Sequence, residues 1–319
     1  MLESTDPGSP EPLPRSAVVT CILNDAAGSG HLAAVRRGRR EAAEAHLARI
    51  AGEHGAQAKI VRAHNGAELL SLAAQAVSEK SSPVVAGGGD GTVNALATKL
   101  IGTGTALGVL PLGSLNHFSK DAGIPQDVEQ AVRNVFTGRV AVLDVGEVNG
   151  RIFLNNSSLG TYPEVVRLRE EEQRQGQGKW AAAAHAWISA LHRDAQLHIR
   201  SREAGEEVVT PLLFVGNNSY EIVGRKIGSR SVLDAGRLWV CTAPRARKSE
   251  LWRMGLRALA GRITYRDLNA RDAREFTVYA RESNVDVATD GEVTAMTTPL
   301  YYRCLPRALS VIVPKAGGA

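Results

Sequence analysis

The sequence predicts an α/β protein with an N-terminal parallel-sheet nucleotide domain and a C-terminal antiparallel β-rich domain. Three observations carry this expectation. Short β-branched runs alternate with helical patterns up to about residue 139, and a glycine-rich segment joins one of those strands to the next helix. Beyond residue 140, strand-like runs dominate, opened by an Asn-Gly hairpin signal. A chain of 319 residues is long enough for two domains of ~100–200 residues each.

Taken in order, residues 1–15 are rich in Pro, Ser and acid; they read as a disordered tail and lack the apolar stretch of a secretory signal. Residues 17–23 form a buried strand, followed by the small-residue loop 24–30 and an Ala-, Arg- and Glu-rich helix to about His54. Residues 59–62 give a short strand, 67–77 a helix, 83–86 a strand, 92–101 a helix and 106–110 a strand. Alternation at these lengths implies a parallel sheet with helices on both faces. Strands at 140–148 and 151–155 flank Asn149-Gly150, a helical stretch covers 161–193, and further strands fall at 196–201, 207–215, 237–242, 275–280 and 285–289. The expected organisation is a tail at 1–15, a parallel-sheet domain at 16–139, a β-rich domain at 140–304, and a C-terminal segment at 305–319.

Composition excludes several classes. With 44% hydrophobic and 22% charged residues the chain is neither disordered nor fibrous, and 5% aromatic residues argues against a base-stacking, single-strand nucleic-acid binder. No run approaches the ~20 apolar residues of a membrane helix. Cys21, Cys241 and Cys304 show no metal-type spacing, which fits a reducing compartment, and the eight histidines show no zinc-ligand spacing. The net charge of +5 is gathered at Arg36, Arg37, Arg39 and Arg40, at Arg245, Arg247 and Lys248, and at the arginines from Arg253 to Arg274. Such clusters suit an anionic partner or a solvated face. Trp180, Trp187 and Trp252 read as core, and the Thr161-Tyr162-Pro163 segment as a helix start.

The most informative segment runs from Pro83 to Asn94, where a buried strand passes through Gly87, Gly88 and Gly89 into Asp90-Gly91-Thr92 and a helix. Glycines let the backbone approach phosphate oxygens, and the helix start brings free N–H groups and the positive end of its dipole to the same place. It is neither a Walker loop nor a G-x-G-x-x-G fingerprint. A carboxylate such as Asp90 beside bound phosphates calls for a cation such as Mg²⁺ between them; the plainer alternative is a turn capped by Asp90 or Thr92. One βαβ unit later, residues 110–118 close another strand with Gly113, Ser114 and Asn116, so both loops are expected at one carboxyl edge of the sheet.

With these loops in hand, the chain resembles the diacylglycerol kinase catalytic-domain family, the bacterial lipid kinases akin to sphingosine kinases. The resemblance rests on Asn24 to Gly28, Gly88-Gly89-Asp90-Gly91-Thr92, the 111–118 segment followed by Gly123-Ile124-Pro125, and Asp290-Gly291-Glu292, in the family's order. It implies ATP, Mg²⁺ and transfer of the γ-phosphoryl group to a lipid hydroxyl, most readily of diacylglycerol, with ceramide, a sphingoid base or a soluble acceptor such as NAD as alternatives. It implies an N-terminal nucleotide domain like that of NAD kinases and phosphofructokinases, to which a last strand at 310–313 returns, and nucleotide contacts from Asn24, Gly28, Gly88, Gly89, Asp90, Gly91, Thr92, Gly113, Ser114 and Asn116. It maps the acidic active-site residues to Asp90, Asp144 and Glu292, with Glu292 as proton acceptor, Asp90 and Asp144 serving the metal, and Asp234 as a ligand of a second metal. The expected setting is cytoplasmic and peripherally membrane-associated, with a lipid substrate at the membrane surface, anionic phospholipid as partner, no nucleic acid, and a homodimer admitted.

The sequence also departs from the family pattern. Ser114 stands for Thr, His117 for the Asp of the N-D-F segment, and Ala235 for an Asp beside Gly236, while residues 62–65 hold no counterpart of an ATP-contacting Thr. These departures keep a third reading open, a nucleotide- or lipid-binding regulator without catalysis.

Overall fold

The computed structural model describes residues 18–25, 31–160, 197–200, 207–210, 212–221, 229–242 and 269–315. The chain divides into two compact units, one of residues 1–143 with 309–319 and the other of residues 144–308.

In the first unit the order is β1 (Val18–Asn24), α1 (His31–Glu53), β2 (Gln57–Ala63), α2 (Gly66–Ser78), β3 (Val84–Gly88), α3 (Asp90–Leu100), β4 (Leu107–Pro111), α4 (His117–Asp121) and α5 (Val128–Thr137). The strands pair in parallel in the order β2-β1-β3-β4. All five residues of β3 and of β4 are buried, as expected for parallel strands covered on both faces. The path runs one way from β1 to β2 and the other way from β2 to β3 and β4. Right-handed crossovers therefore put α1 on one face and α2 and α3 on the other, and the helices do pack as α1 with α5 and α2 with α3. Each helix turns an apolar stripe inward: Ala43, Leu47, Ile50 and Ala51 on α1, and Val93, Leu96, Ala97 and Leu100 on α3. One core joins the α1 stripe to Val19, Cys21, Leu23, Val85, Leu110 and the α5 residues Val132 and Val135.

The second unit is antiparallel. It contains β5 (Arg139–Val148), which begins in the first unit, then β6 (Arg151–Phe153), β7 (Asn156–Gly160), β8 (Leu197–Arg200), β9 (Glu207–Thr210), β10 (Leu212–Asn217), β11 (Leu238–Thr242), β12 (Asn269–Ala273), β13 (Glu275–Ala280), β14 (Asn284–Thr289), β15 (Glu292–Thr297) and most of β16 (Leu300–Val313). One sheet has the order β12-β11-β10-β7-β14-β15; in the other, β16, β13, β8 and β9 pair in turn, with β5 and β6 alongside. Leu159, Leu213, Val240 and Val287 from the first sheet share a core with Ile199, Val278, Leu300 and Tyr302 from the second. Tyr302 stacks on Phe276 with centroids 4.9 Å apart and hydrogen-bonds Ser157 across the sheets at 2.9 Å.

Both dipeptide hairpin signals are real turns. Asn149 and Gly150 have φ of 46° and 82°, and Asp290 and Gly291 have 49° and 89°, the double positive φ that matches strand twist in a two-residue hairpin. Several elements differ from expectation, and α4, α5, β7 and β15 have no counterpart in it. The run at 207–215 is two strands, β9 and β10. The strand expected at 310–313 is the end of the 14-residue β16, whose first part pairs with β13 and whose Val311 pairs with Leu107 of β4. Pro306 and Arg307, at φ 49°, interrupt its pattern and disguise its length. The edge strand β12 (NARDA) lacks β-branched residues and exists through its pairing with β11. The tail at 1–15, the helix expected over 161–193, Trp180, Trp187, Trp252, and the basic residues at 245–248 and 253–266 lie outside the described residues.

Candidate active site

In the first unit the strand order reverses between β1 and β3, and the crevice at their carboxyl ends is where open α/β sheets bind ligands. Asn24 ends β1 there and Gly88 ends β3. Asn24 Nδ2 donates to the buried Thr92 Oγ1 at 2.9 Å, tying the first strand to the glycine loop. Thr92 therefore does not cap its own helix: the N-cap of α3 is Gly89, with no side-chain cap.

The β4 loop seats directly on this glycine loop. The N–H groups of Leu112 and Gly113 both donate to Gly88 O, at 2.9 and 3.2 Å. A Cβ on Gly113 would lie 2.4 Å from Gly89 Cα, and one on Gly88 would lie 2.2 Å from Thr92 Oγ1. Gly113 admits only glycine because two backbones touch there, and Gly88 because the Thr92 side chain lies against it, which composition alone does not reveal. Asn116 sits in the left-handed region at φ 53° and is buried. Its Nδ2 donates to Pro111 O and Gly113 O at 3.2 and 3.0 Å, while its Oδ1 has no partner among the described residues. A strained residue with an orphaned buried acceptor is the kind of cost that functional sites carry.

Asp90 joins the two loops. His117 N–H donates to Oδ2 at 3.1 Å and Phe118 N–H to Oδ1 at 3.0 Å, so the carboxylate caps α4 and not its own helix. Two of the roughly four acceptor positions of an ionised carboxylate are thereby used. Ser114 and His117 are exposed in the same segment, Gly91 is exposed at the start of α3, and Gly28 lies outside the described residues.

Two functional candidates were hidden within the basic cluster on α1. Arg39 Nη2 donates to Pro111 O at 2.9 Å and Gln126 O at 3.2 Å. Arg40 Nη1 donates to Asn24 O at 3.2 Å, and its Nη2 pairs with Asp25 at 2.9 Å. They bring two cations to the carboxyl ends of β4 and β1, whereas Arg37 is exposed. The spacing of four arginines signalled charge but not which of them turn inward. At 62–65, Asn65 caps α2 by accepting from Glu68 N–H.

The second unit holds the other acidic candidates. Asp144 is buried, and its oxygens accept N–H groups from Arg307 at 2.8 Å and Gly236 at 2.6 Å. Its charge helps push the Cys304 thiol up to about 12, burial being the larger cause. Asp234 is exposed. Glu292 is exposed beside the Asp290-Gly291 turn, and its Oε2 takes a bond from Arg151 Nη2 at 2.7 Å. The neighbouring Asp290, to which the resemblance gave no role of its own, accepts the N–H groups of Leu154, Asn155 and Asn156 at 2.7, 2.8 and 3.0 Å. The same bend accepts from Arg230, itself buried, which donates to Leu154 O at 2.7 Å and to Asn155 Oδ1 at 2.7 Å. No group of three or more His, Cys, Asp or Glu side chains forms a metal cluster among the described residues, and no described helix is long and apolar enough to cross a membrane.

Residues 19–148 match the diacylglycerol kinase catalytic domain. A probable lipid kinase YegS-like protein of Klebsiella pneumoniae (strain 342) is 39% identical over 92 residues, 28% of this chain and 31% of that protein. Its counterpart in Yersinia pestis (strain Pestoides F) is 35% identical over 133 residues, 40% of each chain. An uncharacterised Synechocystis protein, sll0036, is 26% identical over 75% of this chain and 57% of its own length. These matches span from under a third to somewhat over half of the relatives. A solved structure of a diacylglycerol kinase from Bacillus anthracis str. Sterne superposes with a TM-score of 0.62 at 18% identity, covering 94% of this chain and 97% of that one. Another structure from the same organism reaches 0.70 at 20% identity, covering 94% and 98%. At these identities the superpositions establish the fold, mixed α/β with a β-rich second part, and the match over 19–148 adds a likeness in sequence to the diacylglycerol kinase catalytic domain.

Proposed function

We propose that the protein is a Mg-ATP-dependent lipid kinase that transfers the γ-phosphoryl group to a lipid hydroxyl, diacylglycerol first among the acceptors. The observation that carries this reading is the cradle at the β1/β3 switch point, where Gly89 and Gly113 bring two backbones into contact, Gly88 lies under the Thr92 side chain, and Asn116 leaves a buried acceptor unpaired. Bare backbone at a helix N-terminus suits phosphates, and Arg39 and Arg40 add positive charge at the same edge. The orphaned Oδ1 suits a donor such as a ribose hydroxyl.

The residues also fit Mg²⁺. That ion keeps several waters and takes one or two carboxylates plus phosphate oxygens, so it needs no three-carboxylate cage. Asp90 retains acceptor capacity for it, while Asp144, buried with both oxygens on backbone N–H groups, holds the second unit together. When bound, the ion offsets the charge on the phosphate oxygens. On the acceptor side, Glu292 takes the hydroxyl proton, being exposed and held through one oxygen only. The lipid is met at a membrane surface, with anionic phospholipid attracted by the basic residues.

The test is transfer of radiolabelled γ-phosphate to a total lipid extract, followed by mass spectrometry of the product. The expected result is one labelled phospholipid species, lost on Mg²⁺ chelation and in Gly113→Val. Label appearing on NAD and on no lipid, or persisting undiminished in Gly113→Val, overturns the proposal.

A further inference from the structure

The sequence marks Asp290-Gly291-Glu292, and the structure adds a residue that it does not mark. Arg151, the first residue of β6, directs its three guanidinium nitrogens at three acceptors. Nε donates to Thr289 Oγ1 at 2.8 Å, Nη1 to Thr294 Oγ1 at 2.8 Å and Nη2 to Glu292 Oε2 at 2.7 Å. These acceptors share one face of the β14–β15 hairpin, because Thr289 is the cross-strand partner of Glu292 and Thr294 is two residues further along the same strand. The turn between them is anchored separately, by Asp290 on the N–H groups of residues 154–156.

A pair this exposed, with side chains 36% and 66% accessible, contributes little to stability. What the grip does supply is geometry. A planar guanidinium fixed at two other points has one orientation left for its third bond, so the Glu292 carboxylate is held by Oε2 and presents Oε1.

We propose that Arg151 is the positioning residue for Glu292, holding Oε2 so that Oε1 accepts the proton of the lipid hydroxyl. This rests on the reading of Glu292 as proton acceptor. In the step, the hydroxyl oxygen bonds to the γ-phosphorus, its proton passes to Oε1, and the bond from phosphorus to the bridging oxygen breaks with its electron pair leaving on ADP. Arg151 stays on Oε2 throughout.

A double-mutant cycle on the full chain, with Mg-ATP and a lipid acceptor, tests this. Glu292→Gln is expected to lower kcat about 10²- to 10⁴-fold, the range of general-base removal. Arg151→Ala is expected to lower kcat about 10- to 100-fold, the range seen when a group that orients an active-site ligand is lost, with KM for ATP unchanged and part of the loss restored by added guanidinium. In the Glu292→Gln background, Arg151→Ala is expected to cost nothing further. Losses that multiply in the double variant, or no recovery with guanidinium, overturn the role of Arg151 while leaving Glu292 as the base. Unchanged kcat in Glu292→Gln overturns the base and the positioning role together. If Arg151→Ala does not fold, the same cycle is run with Arg151→Lys, where a point charge without the fork is expected to keep the KM for ATP and lose kcat only when Glu292 is present.

Discussion

The dipeptide Asp-Gly occurs at both candidate centres, and the two copies differ in everything but one respect. Asp90-Gly91 opens a helix, whereas Asp290-Gly291 is a hairpin turn with both φ angles positive. Yet each aspartate spends its carboxylate on backbone N–H groups of a distant segment: Asp90 on residues 27 and 28 positions away, Asp290 on residues 134 to 136 positions away. The shared job is to lock a second loop onto the first. Glu292 is the contrast, exposed and held by a side chain. These three acidic residues thus separate into two anchors and a presented group, a division by bonding partner that charge alone would miss.

The largest expected effect sharpens the comparison on the side of the second unit. Asp290→Ala strips three N–H groups of their acceptor and is expected to lower unfolding stability by about 3–5 kcal/mol in urea denaturation, from charge-assisted bonds of about 1.5–3 kcal/mol that are partly replaced by water. Asp90→Ala removes two such bonds at a half-buried helix start, and about 1–3 kcal/mol is expected in the same measurement. A loss in Asp90→Ala equal to or greater than that in Asp290→Ala would break the ranking, and with it the idea that bonding partners set the cost.

The smallest effect at neutral pH concerns thiols in both units. Burial raises Cys241 to about 11 and Cys304 to about 12 from 9.0, and raises Cys21 further still, with Glu44 adding to it. A raised value means that the folded state prefers the protonated thiol. This contribution is therefore complete below the ordinary value and lost as pH climbs through the raised ones. Melting temperature is expected to hold up to about pH 9 and fall beyond it, with Cys241 and Cys304 in the second unit alkylated before Cys21 in the first. Alkylation of Cys21 first would contradict the ordering.

Much of the first unit was legible because its signals are local. A buried apolar run, a following helical stripe and a glycine loop declare themselves within a dozen residues, and the common carboxyl edge of the two loops follows from the alternation; the strand order, and with it the β1/β3 switch point, came from the structure. The turns at Asn149-Gly150 and Asp290-Gly291 were legible for the same reason, since few residue pairs tolerate two positive φ angles in succession. The edge strand β12 and the full length of β16 were not, because their extended conformation is imposed by partners: β11 in one case, β13 and β4 in the other.

Sequence by itself determined the α/β order, the turns at Asn149-Gly150 and Asp290-Gly291 and the glycine loop, all consequences of short-range sterics and periodicity. Only the tertiary structure decided that Gly113 must be glycine because Gly89 lies against it, that Arg39 and Arg40 turn inward, that Asp90 and Asp290 serve as anchors, and that Arg151 grips Glu292. The physical reason is that a hydrogen bond or a van der Waals contact is set by which atoms arrive within about 3–4 Å, and across dozens of residues that is a property of the folded chain.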